Sequence, residues 1–77
     1  MSLSKEIKMI RQRLFMTQTD FADALRVSYT TVNRWETGHT RPNFSAMKEI
    51  KKLCNENNID YSQVEAAWLV CDTRAFE

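Results

Sequence analysis

An all-α chain, a compact bundle of about five short helices, is what this sequence predicts, on three observations. Its 77 residues contain one glycine and one proline, too few breakers for the many turns of an all-β fold. Apolar residues recur at spacings of three and four, and no strand-length stretch alternates strictly. Ser, Thr or Asn stands where most of these stretches begin, and such residues cap helix N-termini. Hydrophobic residues make up 43% of the chain and charged residues 27%, enough for one core and an ordinary soluble surface. No linker or repeat divides residues 1–77, so a single domain is expected.

The first helix is expected over 3–15. Leu3, Ile7, Ile10 and Leu14 make one apolar stripe, with Ser2 or Ser4 as the cap. Lys5, Lys8 and Arg13 lie mostly off that stripe and read as a solvated face. The second helix covers about 18–25. Thr17 is its N-cap and Asp20 completes a capping box, while Met16 and Phe21 form a hydrophobic staple. Phe21, Ala22 and Leu25 face the core. The third helix covers about 29–37, with Ser28 as cap, Val27 and Val32 in the staple positions, and Val32 and Trp35 on the buried side. Gly38 ends it in the left-handed C′ position. Two capped helices with three residues between them must turn sharply, which makes residues 17–38 a helix-turn-helix.

Residues 39–43 form a loop, since Pro42 disfavours helix at the residue before it. Asn43 caps a fourth helix, about 44–56, with the stripe Phe44, Met47, Ile50, Leu53 and Cys54. Asn57-Asn58 stops it, because Asn tolerates the left-handed conformation. Ser62 and Glu65 read as a second capping box, opening a fifth helix over about 63–72. Val64, Trp68 and Cys71 share its inner face, with Ala67 beside them.

The run Arg11, Thr17-Gln18, Ala22, Val27-Ser28, Val32, Trp35-Glu36-Thr37-Gly38 and Pro42 resembles the Cro and phage-repressor type of helix-turn-helix, also called the xenobiotic-response-element type. The resemblance covers roughly residues 5–58. It implies a lambda-repressor-like bundle that binds double-stranded DNA, usually as a homodimer. Tyr29, Thr30, Asn33 and Arg34 match positions that point into the major groove. Arg can bond guanine, Asn adenine, and a Thr methyl can meet that of thymine. Gln18 matches a glutamine over the DNA backbone, or else is a plain first-turn polar residue. Ser28 matches a position that caps the helix and touches phosphate. His39, Thr40 and Arg41 form the loop beside the backbone, Arg41 being the best phosphate candidate, and Asn43 is a weaker one. Arg11 and Glu36 match an ion pair across the bundle, which makes Glu36 structural. The chain departs from the pattern at Arg26, where the family usually has a left-handed glycine. Either this turn takes another shape, or Arg26 bears a strain of about 1 kcal/mol or more and adds a cation near DNA.

Net charge is only +1, but it is unevenly spread. Residues 1–58 carry ten Lys/Arg against six Asp/Glu, and residues 59–77 one against four. The basic part coincides with the helix-turn-helix, and local potential is what attracts phosphates. A sequence-specific transcriptional regulator, a repressor of prokaryotic or phage type, is therefore expected. The alternative keeps the fold as an antitoxin or accessory module, with the acidic C-terminal helix, 62–72, as a dimer or partner contact. An enzyme is not expected, since no nucleophile stands with a base and no glycine-rich loop offers to hold phosphate. No cofactor or metal is expected either. His39 reads as a surface residue, and Cys54 and Cys71 as free thiols in helices. No stretch suits a membrane span or a signal peptide, so the expected location is cytoplasmic.

Overall fold

The computed structural model describes residues 2–70. They form five helices and no strand: α1 (Leu3–Arg13), α2 (Gln18–Leu25), α3 (Tyr29–Glu36), α4 (Phe44–Glu56) and α5 (Ser62–Val70). The all-helical bundle expected from the sequence is the fold observed. α1 packs against α3 and α5, and α2 against α3 and α4. The shared core is Ile7 and Ile10 of α1, Phe21, Ala22 and Leu25 of α2, Val32 and Trp35 of α3, Met47, Ile50 and Cys54 of α4, and Val64 and Ala67 of α5. No helix among the described residues is long and apolar enough to cross a membrane.

Local caps start most of the helices. Ser2, Thr17, Ser28 and Asn43 are extended, and each side chain accepts a backbone N–H three residues on. At Thr17 the box is complete, because the Asp20 carboxylate also accepts from the Thr17 N–H.

The ends of α1 to α4 repeat a single device. A left-handed residue follows each helix: Phe15, Arg26, Gly38 and Asn58. Around each, one N–H reaches back five residues and another three. The pairs are Met16 to Arg11 and Phe15 to Gln12, Val27 to Ala22 and Arg26 to Asp23, His39 to Arg34 and Gly38 to Trp35, Ile59 to Cys54 and Asn58 to Asn55. This is the Schellman arrangement, which satisfies carbonyls the helix leaves open. It explains why α1 ends at Arg13 and not at 15. The reversal must be finished before Thr17 caps α2, and it consumes Leu14 and Phe15. Phe15 is left 96% exposed. Likewise α3 ends at Glu36, with Thr37 as its C-cap.

Two expectations change in the second half. Phe44 is 69% exposed and not part of the core stripe; at the first position of α4 it sits beside the ring of Trp68. Ser62 does not cap α5. Asp60 accepts from both its N–H, at 2.9 Å, and its hydroxyl, at 2.7 Å, so the hydroxyl is used locally and α5 already includes Ser62. Cys71 and the expected end of α5 at 72 lie outside the described residues. A tie with no sequence signature joins α4 to the residue before α5: the Tyr61 hydroxyl donates to the Met47 carbonyl at 3.0 Å. Burial pushes the Tyr61 phenol up to about 12, and burial, aided by Asp60, pushes the Cys54 thiol up to about 11.

Candidate nucleic-acid interface

α3 presents two faces. Val32 and Trp35 are buried, while Tyr29, Thr30 and Arg34 are exposed and Asn33 is half-buried. Residues four apart on a helix lie on the same side, so Tyr29 with Asn33 and Thr30 with Arg34 form one outward patch of two rows. Its chemistry is mixed: a phenol, a hydroxyl with a methyl, an amide and a guanidinium. The amide and the guanidinium are the groups that bond base edges bidentately.

The aim of that patch is fixed from both ends of α3. At its start the Ser28 hydroxyl accepts the Thr31 N–H at 3.1 Å and contacts the Thr31 hydroxyl at 2.8 Å. At its end Glu36 is gripped by two other helices. Arg11 of α1 donates Nε to Oε2 at 2.7 Å and Nη2 to Oε1 at 3.1 Å. Gln18 of α2 donates its amide Nε2 to Oε1 at 3.1 Å. A third donor of Arg11, Nη1, reaches the Met16 carbonyl at 2.9 Å, tying in the α1–α2 reversal as well. Glu36 and Arg11 are only 4% and 13% exposed at their side chains. A forked pair of this kind fixes direction as well as distance.

The turn before α3 keeps the shape that a glycine would give it. Arg26 stands at φ 60°, ψ 40°, so the chain bears the strain of a left-handed Arg. Its neighbours explain how. The Val27 and Arg26 N–H groups both bond back into α2, and the half-buried Val27 packs against the core.

The helix-turn-helix family matches residues 7–61. This chain belongs to the Cro-type helix-turn-helix family. That family is a DNA-binding one, and the matched span runs from α1 to the residue before α5. A 52-residue stretch is also 42% identical to the type II methyltransferase M.SsoII of Shigella sonnei, covering 64% of this chain and 14% of that protein. No solved structure matches.

The remaining candidates of this helix-turn-helix protein fall into two groups. His39, Thr40 and Asn43 stay at the loop surface or half-buried. The His39 ring Nδ1 lies 2.7 Å from the Thr37 hydroxyl. The His39 and Thr40 N–H groups both point to the Arg34 carbonyl, so the loop folds back onto the end of α3. Asn43 spends its side-chain oxygen on the Ala46 N–H at 2.8 Å. Arg41 is different. Its guanidinium lies 4.4 Å above the Trp68 ring and donates to the Trp68 carbonyl at 3.4 Å. The structure thus turns the favoured phosphate candidate toward α5. Gln18 likewise has one amide hydrogen committed to Glu36. The tie between Trp68 and the loop is a contact the sequence does not disclose, because 26 residues separate Trp68 from Pro42.

Proposed function

We propose that the chain is a sequence-specific DNA-binding transcriptional regulator acting as a repressor. α3 enters the major groove of double-stranded DNA. Tyr29, Thr30, Asn33 and Arg34 meet base edges, while Gln18, Ser28, His39, Thr40 and Asn43 line the phosphates. The observation that carries this is the double grip on Glu36, which aims a solvent-facing patch of base-reading side chains from a rigid frame. Membership of a DNA-binding helix-turn-helix family supports it. The similar stretch of M.SsoII is a small part of a larger protein, which fits a segment that works as a binding unit. A cytoplasmic location accords with that role.

On DNA the protein acts as a homodimer reading two half-sites about one helical turn apart. The α4–α5 face supplies the contact. Phe44 and Leu69 are exposed there, beside a groove of about 210 Å³ that Met47, Tyr61, Trp68, Lys48 and Lys51 help to line. Lysines on α4 and Glu65 on α5 give this face both charges, so two copies related by a twofold axis can pair opposite signs. The same exposed apolar residues favour a second reading, in which a protein partner docks there and the domain serves as an antitoxin or accessory module.

Selection of bound duplexes from a random pool tests the first reading. The expected product is a palindromic consensus whose affinity falls steeply with salt. Binding indifferent to sequence refutes it.

A further inference from the structure

α5 is fastened to the segment that follows α3 through one residue, Trp68. The Trp68 indole Nε1 donates to the Pro42 carbonyl at 2.7 Å. The Arg41 guanidinium lies 4.4 Å over the same indole, and its Nη1 donates to the Trp68 carbonyl at 3.4 Å. The Phe44 ring stands 6.5 Å from it on the other side of Pro42 in sequence. Pro42 itself is fully buried. Loop donates to helix and helix donates to loop, so the fastening resists both sliding and opening.

Its position matters because of what lies between it and α3. Only Thr37 to Thr40 separate the end of α3 from Arg41, and the His39 and Thr40 N–H groups hang from Arg34 of α3. These residues are therefore stretched between two anchors, the end of α3 and the indole of α5. A planar guanidinium is suited to lie on an aromatic face, and its N–H groups are suited to a backbone carbonyl. Reaching out to a phosphate would forfeit both contacts.

We infer that Trp68 is a positioning residue for DNA binding, with Arg41 as its partner and not a phosphate ligand. The clasp holds His39 and Thr40 at the angle at which they border the DNA backbone. This rests on the proposed reading of α3, and it assigns α5 a part in DNA binding without any contact to DNA.

The test compares the wild type, Trp68→Phe, Arg41→Gln and the double variant on a mixed-sequence duplex long enough for two half-sites, across a salt series. Trp68→Phe keeps an aromatic face and loses the bond to Pro42. Each single variant should weaken binding by about three- to tenfold, the worth of one hydrogen bond or cation–π contact. The double variant should lose less than the product of the two, as coupled residues do. The salt slope should stay that of the wild type. A slope shallower by about 0.9 in Arg41→Gln, the mark of one lost phosphate contact, overturns the inference. So does wild-type affinity in Trp68→Phe. Amide exchange at His39 and Thr40, measured without DNA, separates the clasp from the proposed function. Faster exchange in Trp68→Phe is expected, and unchanged exchange overturns the clasp. Faster exchange in a chain that binds no DNA refutes the regulator and supports the clasp.

Discussion

Residues 17–38 and residues 39–70 are held by different kinds of contact. In the first region most of the deciding bonds are local. Thr17 with Asp20, Ser28 with Thr31, and the N–H groups that close around Arg26 and Gly38 all act within five residues. The one long-range element there is Glu36, with Arg11 25 residues away and Gln18 18 away. In the second region the deciding bonds span the chain: Trp68 to Pro42, Arg41 to Trp68, Tyr61 to Met47. The difference teaches that the helix-turn-helix is shaped locally and then aimed by one buried ion pair, whereas the loop beside it is placed by another helix.

Removing the aim should have the largest effect. Glu36→Ala leaves the Arg11 guanidinium nearly buried without its carboxylate, which costs on the order of 3 kcal/mol. Thr37→Ala loses a hydroxyl that bonds Asn33 on the surface and costs under about 1 kcal/mol. Thermal melts should therefore separate the two clearly; equal melting temperatures would mean that the ion pair does not hold α3.

The local caps come next. Thr17→Ala should cost about 1 kcal/mol, the usual worth of an N-cap. Ser62→Ala should cost less, since in α5 the Asp60 carboxylate does the accepting. Urea titrations of both variants check this order. A larger loss for Ser62→Ala would restore Ser62 as the cap.

A smaller effect, of opposite sign, belongs to the turn. Arg26→Gly relieves a left-handed side chain and should raise stability by about 0.5–1 kcal/mol, after the added freedom of glycine in the unfolded chain is subtracted. Gly38→Ala should do the reverse. Its φ is +81°, and an added Cβ would meet only Ser4 Oγ at an ordinary 3.5 Å, so the cost is conformational and not steric. Chemical denaturation of the two variants measures both signs.

The second region carries the pH dependence. The Cys54 thiol titrates near 9.0 when unfolded and near 11 when folded. The folded state holds its proton longer, so this contribution is whole below pH 9 and is lost as pH rises toward 11. Tyr61 behaves alike between 10 and about 12. Asp60 has the opposite sign. Hydrogen bonds from the Ser62 hydroxyl and N–H hold its carboxyl below the usual 3.8, so its contribution is present above that pH and lost in stronger acid. Melting temperature followed from pH 8 to 11 should fall less in Cys54→Ala than in the wild type.

Much of the fold and the outward patch of α3 are legible in the sequence. Thr17, Ser28 and Asn43 were readable as caps because a cap bonds three residues along its own chain. Tyr29, Thr30, Asn33 and Arg34 were readable as one outward patch because Val32 and Trp35 fix the inward side. Ser62 is not legible as a non-cap because Asp60, two residues earlier, takes both its N–H and its hydroxyl. Phe44 falls on the apolar stripe by spacing yet is exposed, because spacing gives a face but not where the neighbouring helix stops.

Five helices, nearly where each begins, and the existence of a helix-turn-helix are readable from residue order alone. Those features depend on bonds within one turn, and the residues that make them are adjacent in the chain. Packing settles that Arg26 keeps the left-handed turn, that Gln18 joins Arg11 on Glu36, and that Arg41 faces Trp68. Each of these is a competition between partners, and the winner is set by which groups the packed helices bring within bonding distance.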